Sequence, residues 1–458
     1  MTRHAVWPAC AALALSGCTM GPNYHRPAVS PPPAYRNVPA GQPSTATSLG
    51  DEKWAAVFQD PVLQGLIRTA VQQSYDVRIA ASRVLQAQAQ LGITHADQLP
   101  TLSGSAGFTS ERFAGFGLTF NLMQLGALFS WNPDFWGQYR RATEAAQANL
   151  LATDWNRRQV IATVVASVAS AYFELRELDL QLSVSQQTLA DRRESLQLTQ
   201  TLANGGAGTL LDVRQAEQLV ETAAAAIPDT ERQIQQQEDL LSTLLGENPH
   251  GIPRGLPLVK QPVPPAPPAG LPSRLLERRP DIRAAEQQLV AANAEIGVAR
   301  AQFFPSLPLT ASGGVASSSL AGLFRGTAST WDFVLPLTQP IFNGGRLRSN
   351  LKLAQAQEQQ AVLVYQQTIQ QAFRQVADAL AAYHGYREFR QHQEALTAAA
   401  KDAARLSDLL YHGGAASYLQ VLTSQTNYYA AQLSLAQAEL NERLALVQLY
   451  QALGGGWE

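Results

Sequence analysis

Residues that commonly build catalytic and metal sites are scarce in this sequence. Among its 458 residues there are only 2 cysteines and 7 histidines, and no HExxH or HxxxH pairing occurs. No serine lies in the Gly-x-Ser-x-Gly elbow that many serine hydrolases use. These absences argue against an enzyme, so the sequence predicts no catalytic residue, no cofactor and no bound metal ion.

The sequence also has no large excess of positive or negative charge, and it has no long apolar runs. The formal net charge is -2, and lysine occurs only at Lys53, Lys260, Lys352 and Lys401. Such a balance provides no basic surface for nucleic acid, so no nucleic-acid partner is predicted. Beyond residues 1–17 there is no stretch of about 18 apolar residues, and therefore no transmembrane helix is expected.

One of the two cysteines stands where a short apolar leader ends. Residues 1–17 have the layout of a secretory signal peptide and are too short to span a bilayer. Cys10 would be removed with this leader, so the mature chain can form no internal disulfide. The stretch Leu15-Ser16-Gly17-Cys18 resembles a bacterial lipobox, which implies that Cys18 is acylated and becomes the first mature residue. By the same resemblance, Thr19 favours the outer membrane; an incidental cysteine after an ordinary signal is the alternative.

The rest of the chain contains two copies of one unit. Residues 76–106 align without gaps on 281–311, and residues 202–213 match 410–421. A stretch rich in proline and glycine separates the copies and is typical of a linker. The predicted division is an extended N-terminal segment over 18–61, a first repeat over 62–246, a linker at mid-height over 247–272, a second repeat over 273–453 and a tail over 454–458.

Each copy predicts one very long helix. Residues 138–203 contain no glycine or proline, and residues 346–411 contain only Gly385. At 1.5 Å per residue each helix would be about 100 Å long. The first would end at Gly205 and Gly206 and the second at Gly413 and Gly414, because glycine pairs commonly terminate helices. Shorter helices are predicted after each glycine pair, over 209–245 and 417–453, and before each strand region, over 62–98 and 273–303.

Whereas the neighbouring segments have apolar residues at helical spacing, apolar and polar residues alternate in four segments. They lie within 100–131 and 306–341, and in the first of them Leu102, Gly104, Ala106 and Phe108 share one face. This alternation is typical of a membrane barrel strand, although a small soluble sheet capping the helices would also alternate. Open sheet edges are not tolerated in lipid, so several chains would have to complete one barrel. Three chains give twelve strands and room for a channel, whereas eight strands would fill with their own side chains.

Several stretches resemble the outer membrane efflux protein family, in its lipoprotein, TolC-like branch. They are residues 18–27, LPSRLLERRPDI over 271–282, ARAQFFPS over 299–306 and PIFNGGRLR over 340–348. The resemblance implies a mainly α fold with a small β part, in which a homotrimer shares a twelve-stranded transmembrane barrel and a periplasmic α-helical barrel. It also implies an outer membrane exit duct for drugs or other small toxic molecules, which docks to a periplasmic adaptor and an inner-membrane pump, usually of the resistance-nodulation-division class.

The two glycine turns are the predicted contacts for the adaptor. The sequence NGGAG over 204–208 could be mistaken for a phosphate-binding loop, but it follows a helix and has no Gly-Lys-Ser/Thr continuation. Gly205, Gly206, Gly413 and Gly414 would form the periplasmic tips that the adaptor contacts. Alternatively, these glycines only permit the turns, which they must do in either case.

A gate is predicted just beyond the turns. Members of the family often have an aspartate at the position of Thr423, where three copies form an acidic constriction, and this chain departs from that pattern. The hypothesis is that Asp212, with Tyr411 and Leu419 nearby, contributes to the closed gate instead. Asp212 could equally be a solvated residue that the dipole at a helix N-terminus stabilises.

Two other functions remain open on sequence grounds. A duct for protein secretion of the type I kind shares the fold. A coiled-coil lipoprotein scaffold that spans the periplasm without conducting belongs to a different class. The alternation in the strand segments argues against the scaffold, because a scaffold needs no lipid-facing sheet.

Overall fold

The structure is a computed structural model that describes residues 19–36, 47–113, 115, 118–263 and 267–458. These residues form nine α-helices and four β-strands. The helices are α1 (Trp54–Val57), α2 (Pro61–Gln73), α3 (Tyr75–Ala96), α4 (Gln138–Asn204), α5 (Leu210–Leu245), α6 (Pro272–Arg278), α7 (Pro280–Ala301), α8 (Arg346–His412) and α9 (Tyr418–Ala452). The strands are β1 (Thr101–Phe113), β2 (Leu118–Trp131), β3 (Leu309–Ser317) and β4 (Ser329–Val334). No helix among these residues is long and apolar enough to cross a membrane.

The long helices confirm the sequence prediction. Helices α4 and α8 each contain 67 residues, and both are rich in strong helix formers such as alanine, leucine and glutamine. The return helices α5 and α9 follow them after short turns. All four of these helices begin and end within about one residue of the predicted positions. This difference is within the ordinary uncertainty of helix ends.

The shorter helices are each divided in two, which corrects the prediction of one helix over 62–98 and one over 273–303. Ser74 separates α2 from α3, and Arg279 separates α6 from α7. Both residues have extended ψ angles, 133° at Ser74 and 123° at Arg279. Arg279 precedes Pro280, whose ring disfavours the helical conformation in the residue before it. Ser74 ends α2 by donating its N–H to Ala70 O at 2.9 Å, and its own carbonyl accepts the first bond of α3 from Arg78 N.

The four strands form one antiparallel sheet in the order β1-β2-β3-β4. Strand β1 and strand β4 are therefore the two edges of the sheet. The alternation predicts a last strand over residues 331–341, but β4 runs from Ser329 to Val334 and therefore ends seven residues earlier. Pro336 and Pro340 follow within six residues, and proline has no N–H to donate to a ladder. Beyond β4 only an isolated bridge, Ser306 to Thr338, continues the pairing.

The register places apolar residues of all four strands on one face. Directly paired residues lie on the same face of a sheet. One row across the sheet is Leu102, Phe129, Ala311 and Phe333, and the next row on this face is Gly104, Ala127, Gly313 and Trp331. The opposite face has rows such as Ser103, Leu128, Ser312 and Asp332, in which the Ser312 hydroxyl bonds the Asp332 carboxylate. The alternation predicted from single strands is thus a property of the whole sheet.

The chain divides into two compact units. The first comprises residues 19–29 together with Arg83–Asp154 and Ala284–Gln367, and it contains the sheet. In this unit the described N-terminal segment is tied to the helices that flank the sheet. Met20 N donates to Trp136 O at 3.0 Å, and Arg141 donates to Asn23 Oδ1 at 2.8 Å. The backbones approach so closely at Gly21 that a Cβ there would lie 2.5 Å from Gly297 Cα.

The second unit comprises Ser30–Ser82, Trp155–Arg283 and Thr368–Glu458. Its core includes fully buried side chains from several helices, among them Leu63, Ile67, Tyr172, Leu175, Leu241 and Leu449. The carboxylate of Asp60 is buried with them. Asp60 is 0 % exposed and accepts hydrogen bonds from Val62 N, Tyr172 Oη, Leu256 N and Gln261 Nε2 at 2.6 to 2.9 Å. These bonds fix the segment after α5 against the start of α2.

Candidate functional site

The two turns between long and return helices have the same backbone geometry. Ala207 N donates to Leu202 O at 2.9 Å in the first turn, and Ala415 N donates to Leu410 O at 2.8 Å in the second. The left-handed residues are Gly206, with φ of 77°, and Gly414, with φ of 72°. The predicted helix turns are confirmed, and only the second glycine of each pair needs its freedom to adopt positive φ. Gly205 and Gly413 precede them and are exposed.

Asp212 caps the return helix of the first turn. Its carboxylate accepts bonds from Thr209 N at 2.9 Å and from Thr209 Oγ1 at 2.7 Å, while Thr209 Oγ1 accepts from Asp212 N at 3.2 Å. This reciprocal arrangement is a capping box, which satisfies N–H groups that the first helical turn leaves without partners. The second turn has Ser417 at the equivalent position, and its side chain forms no capping bond. Asp212 therefore has a local structural role whatever else it does.

Tyr411, at the end of α8, lies within range of the Asp212 charge. Burial raises the pKa of the Tyr411 hydroxyl, and the negative charge of Asp212 raises it further, although a hydrogen bond with Thr199 acts in the opposite direction. The Tyr411 ring meets the Tyr418 ring edge to face, with ring centroids 5.4 Å apart. The charge of one predicted gate residue thus acts on another, and Tyr411 itself packs against Tyr418.

The other two gate candidates lie on an exposed side of α9. Leu419 is 58 % exposed, and Thr423 is exposed one turn later. Thr423 Oγ1 donates to Leu419 O at 2.8 Å, which ties the two residues to the same turn of helix. The buried side of this helix is formed by Tyr418 and Val421, which pack with Ala216 of α5. The gate role of all four residues remains a prediction.

An arginine that the sequence analysis did not select lies at the centre of this region. Arg192 of α4 is only 3 % exposed, donates to Leu219 O at 2.7 Å, and has its guanidinium carbon 5.0 Å from the ring centroid of Tyr429. Burial lowers the pKa of this guanidinium, since desolvation disfavours its charged form. The Tyr429 hydroxyl is 2.9 Å from Ser185 Oγ. We call Arg192, Ser185 and Tyr429, with the Leu219 carbonyl, the arginine clamp.

The arginine clamp links three of the four helices that meet at the turns. Arg192 and Ser185 come from α4, the carbonyl from α5 and Tyr429 from α9. Its contacts are hydrogen bonds and one cation–π contact, which hold helices together rather than transform a substrate. No local sequence signal marks Arg192, because its equivalent in the other copy is Ala400 and the residues around the two positions mostly differ.

The chain matches the family model described as outer membrane efflux protein over residues 66–247 and 271–455. It is 35 % identical over 98 % of both chains to the cation efflux system protein CusC of Escherichia coli O6:H1. It is 38 % identical, again over 98 % of both chains, to the solvent efflux pump outer membrane protein SrpC of Pseudomonas putida. Among solved structures, the open state of the MtrE outer membrane channel of Neisseria gonorrhoeae superposes with a TM-score of 0.88 at 34 % identity, covering 96 % of this chain and 99 % of that one.

Proposed function

Because the chain belongs to the outer membrane efflux protein family, and so is the outer membrane channel of a tripartite efflux system, we propose that it acts as a passive exit duct for small toxic molecules. The family forms trimeric channels with a mainly helical fold and a small antiparallel sheet. The duct is opened at its helix turns by a periplasmic adaptor and supplied by an inner-membrane pump. The repeats over 62–246 and 273–453 contribute equivalent parts of its wall.

The observation that carries this proposal is the two-sided sheet. Two of its rows are apolar from the edge strand β1 to the edge strand β4, a third ends in Ser329, and the rows on the other face are mostly polar. Such a sheet suits lipid on one side and water on the other. Edge strands cannot remain open in lipid, so β4 of one copy pairs with β1 of the next and three copies close the barrel.

The substrate follows from the partners rather than from this chain. The relatives described above are named for cations and solvents, and this favours small-molecule efflux over protein secretion. The two-sided sheet disfavours the non-conducting scaffold, because a scaffold needs no lipid-facing sheet. We therefore propose that the pump and adaptor choose the substrate and that this chain conducts it.

The position of the N-terminal segment supports a lipid anchor. Cys18 lies outside the described residues, but its neighbour Thr19 lies against Gly137, where a Cβ would be 2.9 Å from Thr19 Cα. Met20 bonds the carbonyl of Trp136, which follows β2 by five residues. Acyl chains on Cys18 would thus start beside the end of a strand, at the membrane surface where two chains give a stable anchor.

The Cys18→Ser variant is expected to lose its acyl chains completely. The thiol is the acceptor for the lipid, and serine lacks it. Incorporation of labelled palmitate into the purified chain measures the effect. The Cys10→Ser variant is the matched control and should retain the label, since Cys10 lies within the predicted leader. Label that persists in Cys18→Ser would contradict the lipid anchor.

Single-channel conductance in a planar bilayer, together with the mass in detergent, tests the channel itself. A trimer that conducts is expected, and a monomer would contradict the shared barrel.

Asp212→Ala is expected to raise the open fraction, because it removes both the capping box, worth about 1 kcal/mol, and the charge beside Tyr411. Asp229→Ala, at an exposed position of the same helix, is the control. Equal conductance of Asp212→Ala and the wild type would end the gate role of Asp212.

A further inference from the structure

A cavity lies where the strands meet the helices. It has a volume of about 460 Å³ and is bounded by residues 132–136, which follow β2, and by the first turns of α4 and α8. The end of α7 also lines it, together with Ser306 and Thr338, whose backbones exchange two hydrogen bonds of 2.9 and 3.0 Å. We call this space the basal cavity. The ends of several elements of the first unit thus converge on one site.

One part of the wall of the basal cavity is aromatic. The rings of Trp136 and Phe304 stack with their centroids 4.8 Å apart, and Trp136 Nε1 donates to Pro305 O at 2.7 Å. Phe304 is 36 % exposed and Phe135 is 43 % exposed, so both rings still offer apolar surface to a ligand. Aromatic side chains of this kind are typical of the level at which a membrane meets water.

Other lining residues offer hydrogen-bond donors. The side-chain amides of Gln138, Gln302 and Asn350 have no hydrogen-bond partner within the part of the chain that the structure describes. Asn132 Nδ2 donates to the Tyr139 hydroxyl oxygen at 2.9 Å, which leaves the hydroxyl proton of Tyr139 available to a ligand. The basal cavity therefore suits a ligand that carries several acceptor oxygens.

Arg346 gives the basal cavity its charge. The guanidinium of Arg346 forms no ion pair with any described residue. Among the described lining residues the one carboxylate is that of Asp134, which already pairs with Arg140 Nε at 3.3 Å and accepts from Arg140 N at 2.9 Å. The cavity thus has one positive charge without a counter-charge. A guanidinium binds phosphate oxygens through two parallel N–H groups, so an anionic phosphate is the complementary ligand.

The basal cavity lies at the level that the sheet assigns to the membrane surface. Trp131, the last residue of β2, is on the apolar face of the sheet, and Asn132 beside it lines the cavity. Met20 N donates to Trp136 O at 3.0 Å, and Cys18, the predicted site of acylation, lies two residues before Met20. The helices on this side of the sheet extend into the periplasm, so the headgroups at this level belong to the periplasmic leaflet.

We propose that the basal cavity binds the headgroup of an anionic phospholipid from the periplasmic leaflet, with its phosphate on Arg346 and its glycerol on the rings of Trp136 and Phe304. This inference rests on the placement of the sheet in the membrane proposed above. A free phosphate would use the donors but not the aromatic wall, and therefore the lipid is the better fit. The bound headgroup holds the starts of α4 and α8 together at the membrane surface.

Binding of a short-chain lipid to the purified chain tests the site. Native mass spectrometry of the detergent-solubilised chain counts the bound lipid as dihexanoyl phosphatidylglycerol is added. Arg346→Gln is expected to weaken binding about tenfold, because it removes a charge-assisted contact with the phosphate. Arg348→Gln is the matched control, since Arg348 is an exposed cation on the same helix that does not line the cavity. Equal weakening in both variants would show attraction to net charge alone and would overturn the site.

Inorganic phosphate is the second probe and separates a lipid from a free anion. At the concentration at which the lipid saturates the chain, inorganic phosphate is expected to leave the lipid bound, because it gains nothing from the aromatic wall. If inorganic phosphate displaces the lipid equally well from the same site, and Arg346→Gln abolishes this competition, then the cavity takes a free anion and the lipid assignment is overturned.

An added carboxylate gives an independent test of the position. Asn350→Asp places a negative charge in the basal cavity and should weaken lipid binding at least as much as Arg346→Gln, since like charges then meet. Ser349→Asp adds the same charge at an exposed neighbouring position outside the cavity and is the control. The same affinity in the two aspartate variants would overturn the placement of the phosphate.

The outcomes separate this inference from the proposed function. A trimer that conducts but binds no phosphatidylglycerol overturns the headgroup site and leaves the channel standing. A chain that binds the lipid through Arg346 but does not conduct supports the headgroup site and contradicts only the proposed function.

Discussion

The Asp60→Ala variant is expected to lose about 3 kcal/mol or more of folding free energy, a large share of the margin that most domains have. Asp60 is completely buried, and its carboxylate accepts bonds from Tyr172 Oη, Leu256 N and Gln261 Nε2. Alanine leaves these buried donors without an acceptor, and each one costs about 1 to 3 kcal/mol. A Cβ at Gly255 would collide with the carboxylate, which shows how closely the segment after α5 packs here.

Acid should remove the same contribution from the wild-type chain. Burial acts to raise the pKa of Asp60, but hydrogen bonds from Gln261, Tyr172, Val62 and Leu256 outweigh it and hold the pKa below its ordinary value. A depressed folded-state pKa stabilises the fold above the unfolded value of about 3.9, and this stabilisation is lost as pH falls through the folded value. The difference in stability between the wild type and Asp60→Ala should therefore shrink below about pH 4.

Thermal unfolding followed by circular dichroism measures both effects. Asp239→Ala is the matched control, because Asp239 is an exposed carboxylate on α5 and its loss should change stability by less than about 0.5 kcal/mol. An Asp60→Ala chain that unfolds at the wild-type temperature would show that the network contributes nothing. If the difference in stability between the wild type and Asp60→Ala stays constant down to pH 2, the assignment of the charge to Asp60 is contradicted.

The second large effect is expected at the arginine clamp. Replacing Arg192 by alanine removes the hydrogen bond to Leu219 O and the contact with the Tyr429 ring. It also removes the buried positive charge of the arginine clamp. Hydrogen bonds from charged groups are worth about 1.5 to 3 kcal/mol, and each 1.4 kcal/mol changes an equilibrium about tenfold. If the clamp exists only when the turns are closed, the ratio of open to closed channels should rise about tenfold or more.

Open probability in single-channel records checks this expectation. Arg193→Ala is the matched control, since Arg193 is the exposed neighbour on the same helix and lacks these contacts. Arg192→Lys should recover only part of the effect, because lysine keeps the charge but not the planar group that lies over Tyr429. Equal open probability in Arg192→Ala and Arg193→Ala would show that the clamp supports the fold and not the gate.

Local chemistry explains which parts of the fold were predictable. The limits of α4 and α8 follow from helix-forming residues that continue until a glycine pair, and each signal lies within a few residues of its effect. The break at Arg279 has a local signal, since Pro280 follows it, whereas no glycine or proline marks the break at Ser74. The early end of β4 was missed because the alternation continues past Pro336, although proline cannot donate to the ladder.

The candidate site shows the same division. The turns and the candidate residues beside them could be found from sequence, since they stand next to glycines. Arg192 and Tyr429 are 237 positions apart and belong to different copies of the repeat, so no local pattern connects them. The capping role of Asp212 lies between these cases, because Thr209 three residues earlier is a sequence signature of a helix start.

By itself the sequence determined the two-copy organisation, the long helices, the turns and the alternation of the strands, since each depends on conformational preferences within a few residues. The tertiary structure alone decided which side chains meet across those helices. It aligned apolar rows of four strands on one face, buried Asp60 among its donors, and packed Tyr418 and Val421 of α9 against Ala216 of α5. The physical reason is that such contacts join residues far apart in the chain, and their energies are realised only after the helices have packed.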